Sequence, residues 1–141
     1  AAPTSHVRAL ADIDGVEVTG QVVDVREHVR GAVLSVAPLK IARGTQNKIL
    51  ESMAMGVPVV TTTQALKGVD AVAGEHLLAA DGAPAMAEAV CALLQDPAKR
   101  GALAQAGRQR VAERHAWEPA LDRFEAFAEA CLARGAERPA T

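Results

Sequence analysis

The stretch PLKIARGTQNKILESMAMGVPVV, residues 38–60, decides the fold. It reads as a strand exit, a loop, a helix and a second strand. At about 100° per residue, Ile49, Leu50 and Met53 share one face of a helix over 46–55, while Asn47, Lys48, Glu51 and Met55 share the opposite one. Thr45 is the expected N-cap. Gly56 ends the helix, and Val57-Pro58-Val59-Val60-Thr61 follows as a β-branched run. The run Ala32-Val33-Leu34-Ser35-Val36 precedes it all and ends at Ala37-Pro38. Strand, helix and strand in that order make a parallel unit of an α/β protein.

Working outward, the same alternation continues on both sides. Val16-Glu17-Val18-Thr19 lies between Gly15 and Gly20, and His76-Leu77-Leu78-Ala79 follows Gly74, giving four expected strands, with a further helix over Asp24 to Arg30. The chain opens with a loop and a helix ending at Asp12, started by Pro3 and Thr4, with no strand before it. An α/β unit that begins in mid-crossover predicts a piece of something longer. After Asp81 the pattern turns helical: Met86, Val90, Leu93 and Leu94 form one stripe, and Trp117, Leu121, Phe124 and Ala128 another. Asp96-Pro97 separates two helices, and the last helix is expected to dock by its Trp117 and Phe124 face. One domain over 1–135 with a polar tail at 136–141 is the expected organisation.

Composition narrows the function. Of 141 residues, 50% are apolar and 23% charged, and the net charge of −2 places the chain among globular proteins. No apolar run approaches the roughly 18 residues of a membrane span, and no leader opens the chain, so a cytoplasmic location is expected. With 15 Lys plus Arg against 17 Asp plus Glu, no global positive field exists to hold a nucleic acid. Cys91 and Cys131 lack zinc or redox spacing and read as buried, inert thiols. His6, His28, His76 and His115 show no metal-ligand spacing, so no metal and no catalytic residue is assigned. Arg100, Arg108, Arg110 and Arg114 read as a solvated helical face.

The chemistry concentrates where local rules object. Cations are unfavourable in a first helical turn by a few tenths to about 1 kcal/mol, yet Lys48 stands there, with Lys40 and Arg43 in the loop before it. Free amides at a helix N-terminus beyond a strand's carboxyl end form a phosphate site, which three cations strengthen. Glu51, one turn inside, is then placed to accept hydrogen bonds from ribose hydroxyls. The simpler reading is an i, i+3 pair of Lys48 and Glu51 on a solvated face, worth about 0.2–0.5 kcal/mol. From these residues alone the two stand level. The Lys67-Gly68 loop also follows a strand end, where it either marks a turn or lines the same pocket.

The run Asn47 to Val60 resembles the helix and strand of the glycosyl transferases group 1, a family of retaining enzymes with the two-domain GT-B fold. Their pattern, Lys-x-x-Glu-[Ala/Ser/Tyr]-Met-Ala-x-Gly-x-Pro-Val-Val, is matched at every fixed place by Lys48, Glu51, Ser52, Met53, Ala54, Gly56, Pro58, Val59 and Val60. Val18 to Val22 with Asp24 resembles the family's third strand and loop, Ala37-Pro38-Leu39 the fourth strand's exit, and His115-Ala116-Trp117 a terminal Tyr-Ser-Trp signature. Within the family the likeness points to sugar transferases of exopolysaccharide and capsule assembly.

The resemblance implies a Rossmann-like, three-layer parallel sheet with helices on both faces: the carboxyl-terminal, donor-binding domain without its first strands. Its substrate is a UDP- or GDP-sugar and it needs no cofactor. Glu51 falls on the glutamate that contacts ribose. The family's first glutamate, eight positions earlier, is Arg43 here, which fits a diphosphate contact by Arg43 or Lys40. Gly44 matches a loop glycine and Gln46 replaces another; amides of Thr45, Gln46 and Asn47 cradle phosphate, and Gly20, Gln21 and Val22 border the base. The implied activity is hexosyl transfer to a glycan or lipid-linked acceptor, with the acceptor site on an amino-terminal domain outside this chain. The chain alone is then inactive, and the whole enzyme meets the membrane peripherally. The alternative is a non-catalytic α/β module that binds a nucleotide or a protein. A sheet of strands three to six lacks its centre, so either the third strand pairs with the fourth or an open edge makes a homodimer.

Overall fold

A computed structural model describes residues 3–136 of the chain. Contacts divide it into two units, Ala1–Gly31 and Ala32–Thr141.

The first unit holds α1 (Ser5–Arg8), a 3-10 turn (Ala9–Asp12) and α2 (Val25–Arg30). Thr4 caps α1 by accepting from the Val7 N–H, and Asp24 caps α2 by accepting from the Arg26 N–H. The Arg26 guanidinium also grips Asp24 at 2.8 Å, and these hydrogen bonds push the carboxyl down to about 2. The expected strand over Val16–Thr19 is absent. These residues run without ladder partners among the described residues. Strand geometry is stabilised by a neighbour, and a β-branched run alone does not supply one.

The second unit carries three parallel strands in the order β1 (Ser35–Ala37), β2 (Val59–Thr61), β3 (Leu78–Ala79). Each is shorter than its apolar run, beginning two or three residues later than the pattern predicts. Between and after them lie α3 (Asn47–Ala54), α4 (Thr63–Leu66), α5 (Ala83–Gln95), α6 (Pro97–Arg114) and α7 (Trp117–Ala136). Among the described residues no helix is long and apolar enough to cross a membrane.

Alternation along β2 explains the layers. Val59 points to one face, where Ala37, Ile49, Met53, Ala65, Val69 and Leu77 gather. Val60 points to the other, where Met86 of α5 and Leu93 and Leu103 close a second cluster. Both valines are fully buried, as a parallel strand covered on two sides requires. Burying such side chains contributes about 1.5–3 kcal/mol each. On α3 the predicted division holds: Ile49 and Met53 are buried, and Asn47, Lys48 and Glu51 are exposed. Ser52 joins the buried side because it bonds the Ser35 hydroxyl at 3.1 Å and the Lys48 carbonyl at 3.0 Å.

Gly107 lets α6 cross closely over this layer. A Cβ there would stand 2.8 Å from the His76 carbonyl oxygen and 3.5 Å from Met53 Cε. The break at Asp96-Pro97 is as read, with Asp96 capping α6 through the Lys99 N–H at 2.9 Å.

Four expectations fail on the helices. Phe124 and Phe127 of α7 are 67% and 63% exposed, so Phe124 does not dock, and the Trp117 side chain lies outside the described residues. Leu94 is half exposed because the α5 stripe is narrower than its sequence pattern. Cys91 and Cys131 are exposed rather than buried. The arginines of α6 are not simply solvated: Arg100 donates to the Leu93 and Leu94 carbonyls at 2.7 and 2.6 Å, satisfying the end of α5. The helix α7 includes Gly135 and Ala136, and residues 137–141 of the expected tail lie outside the described residues.

Candidate functional site

The carboxyl ends of β1 and β2 are stitched together. Thr61 donates its hydroxyl to the Ala37 carbonyl at 2.9 Å, and Thr62 to the Leu39 carbonyl at 2.7 Å. Thr62 also caps α4 through the Ala65 N–H, and Asp81, just past β3, accepts from the N–H and hydroxyl of Thr63 at 3.0 and 2.5 Å. The Thr63 bonds hold the Asp81 carboxyl below its usual range, with Lys67 adding least. Three strand ends thus fix one loop surface, the place where open α/β sheets bind ligands.

Two loops face each other on that surface. The first, leading into α3, turns at Gly44, whose φ of +64° lies in the left-handed region that favours glycine. The second follows α4. Gly68 sits so close that an added Cβ would overlap the Gly44 carbonyl oxygen, and the Gln46 N–H reaches the Gly68 carbonyl at 3.4 Å.

The start of α3 differs from the sequence expectation. Gln46, not Thr45, is the N-cap, and its side chain makes no cap bond. Its amide Nε2 instead donates to the carbonyls of Arg43 and Gly44 at 3.2 and 2.9 Å, so the side chain is buried holding the loop's shape. The extra hydrogen bonds outweigh a cap worth about 1 kcal/mol. Neither Gln46 nor Thr45 takes the amides of Asn47 and Lys48, which find no acceptor among the described residues. Such groups at a helix start favour an anion.

Between the loops lies a cleft of about 480 Å³, lined by Ala42, Gly44, Thr45, Gln64, Lys67, Gly68, Val69, Asp70 and His115. Of the residues singled out from sequence, Gly44, Thr45, Lys67 and Gly68 are on its wall. Lys40, Arg43, Asn47, Lys48 and Glu51 are exposed nearby in sequence but outside that lining. No ion pair joins Lys48 to Glu51 among the described residues, so the simple surface pair is not formed. Gly20, Gln21 and Val22 belong to the first unit, where Gly20 turns with φ +69°.

Sequence reading missed Gln64, Asp70 and His115. Asp70 is gripped from α6: Arg110 reaches it at 2.6 Å and Arg114 at 2.8 Å, while Arg110 Nε also bonds the Asp70 carbonyl at 2.7 Å. The Arg114 and Arg110 guanidiniums hold its carboxyl below the usual carboxylate range. The i, i+4 spacing of Arg110 and Arg114 was the available signal, since two cations on one helix face suit a shared carboxylate. Among the described residues no three His, Cys, Asp or Glu side chains gather to hold a metal.

A small parallel sheet covered by helices, with its loop cleft at the strand carboxyl ends, defines a Rossmann-like α/β protein of the kind found in GT-B enzymes. The sequence profile of the glycosyl transferases group 1 matches residues 2–96, and the chain belongs to that family. No curated protein matches it.

Proposed function

We propose that this chain binds the nucleotide-sugar donor of a retaining glycosyltransferase that moves a hexose from a UDP- or GDP-sugar to a glycan or lipid-linked acceptor. The observation that carries the reading is the position of α3: its family-patterned residues Lys48 and Glu51 stand exposed on one face of the helix, with unpartnered amides at its start and the loop cleft beside it. In this reading the Asn47 and Lys48 amides and the Lys40, Arg43 and Lys48 side chains take the diphosphate, and Glu51 accepts from the ribose hydroxyls. Fixed donors and cations stabilise the departing diphosphate, which is the main catalytic contribution expected of such a site. The acceptor is held by a separate amino-terminal domain, in the assembly of exopolysaccharide or capsule at the cytoplasmic side of a membrane.

Calorimetric titration with UDP and GDP tests the proposal. Saturable binding of at least one, lost in Glu51→Ala, supports it. Binding of neither nucleotide refutes it and leaves the non-catalytic module.

A further inference from the structure

Lys67 is a charged side chain on the cleft wall that the functional reading does not use. It projects from the second loop, opposite Gly44 and Thr45. Its hydrogen-bond partner is neutral: Nζ donates to Gln64 Oε1 at 3.3 Å. No carboxylate lies within ion-pair distance of it among the described residues. The two acids close to this loop are already engaged. Asp70 is held by Arg110 and Arg114, and Asp81 by Thr63. The Asp70 charge on the cleft wall is therefore offset from behind by Arg110 and Arg114, while Lys67, which acts on the Asp81 carboxylate only beyond ion-pair distance, lines the space.

The loop that carries Lys67 is fixed at three points. Val69 is anchored in the core, Asp70 is tied to α6 by its side chain and its carbonyl, and Gly68 lies against Gly44. A cation on so fixed a loop costs little to order when a ligand arrives.

We propose that Lys67 is a further donor-binding residue, whose ammonium meets the diphosphate from the side of the cleft opposite the start of α3. The inference rests on the nucleotide-sugar reading above, and extends it by building the anion subsite from the loops after both β1 and β2. A lysine acts there as a point charge on phosphate oxygens, without the geometry an arginine fork demands.

Titrations of the full chain with inorganic pyrophosphate, with UDP and GDP, and with uridine and guanosine test it, comparing Lys67→Gln, Lys67→Arg and, as a control on the far end of α6, Lys99→Gln. Loss of one charged hydrogen bond predicts about tenfold or more weaker binding of pyrophosphate and of the nucleotide in Lys67→Gln. Nucleoside binding stays unchanged, Lys67→Arg recovers most of the loss, and Lys99→Gln matches the parent. Pyrophosphate and nucleotide binding that is equal in Lys67→Gln and the parent overturns the inference and leaves the donor reading standing. Pyrophosphate binding that depends on Lys67, without any binding of UDP or GDP beyond it, supports the anion subsite and removes the nucleotide. A parent chain that binds no pyrophosphate and no nucleotide overturns both.

Discussion

The α-carbon of Gly68 faces the carbonyl oxygen of Gly44 with no room for a methyl group between them. That contact sets the separation of the two loops that wall the cleft. Gly68→Ala forces one of them to move, because the obstacle is backbone and not the end of a flexible side chain. Overpacking of this kind costs about 1–3 kcal/mol. The expected outcome is an unfolding free energy in urea lowered by that amount, with the midpoint falling accordingly, together with weaker nucleotide binding. An unchanged midpoint would show that the loops yield freely.

Asp70 ties the second loop to α6, and its contribution depends on pH in a definite direction. Its carboxyl is held below the ordinary value of 3.8, so the stabilisation is fully present above that pH and is lost as pH falls through the depressed folded value. Thermal melts of the parent and Asp70→Asn at a series of pH values check this. The gap between them is expected to be constant from pH 7 to about 5 and to close under more acid conditions. A gap that widens in acid contradicts the assignment.

In the core, Leu93 is fully buried between α5, α6 and the Val60 face of the sheet. Leu93→Ala is expected to cost about 2–5 kcal/mol in denaturant unfolding. The same change at Leu94, half exposed on the next position, is expected to cost less than 1 kcal/mol, roughly the range of surface substitutions. Equal costs would mean that the two residues exchange places in solution.

Much of the second unit was legible in residues 38–60. The buried face of Ile49 and Met53, the order of three strands and the break at Pro97 all follow from periodicity and punctuation. Val16–Thr19 was misread because a β-branched run states a preference, whereas a strand needs a neighbour to bond. The α3 cap was misread for a related reason. Thr45 has the better local propensity, but Gln46 gains two carbonyl partners that exist only once Gly44 has turned. On the cleft's far wall the Lys67-Gly68 loop was legible from its place after a strand, but Asp70 and His115 were not, since Asp70 is held by α6, whose arginines reach back some forty positions, from Arg110 to Asp70. Their pairing is a tertiary fact.

A strand edge without a ladder partner among the described residues also predicts association. β1 stands at the end of the sheet order, and Val36 on it is 42% exposed. Sedimentation at rising concentration is expected to show a dimer, weakened in Val36→Lys because a charge on an edge opposes pairing. A monomer at every concentration contradicts this.

The role of Glu51 at the ribose is the centre of the functional account, and a paired titration tests it most directly. UDP or GDP, whichever binds, is compared with its 2′-deoxy form against the parent and Glu51→Ala. The account predicts that removing the hydroxyl weakens binding to the parent by about tenfold, the worth of a hydrogen bond to a charged group, and changes binding to Glu51→Ala little. An equal loss in both proteins would contradict a ribose contact by Glu51.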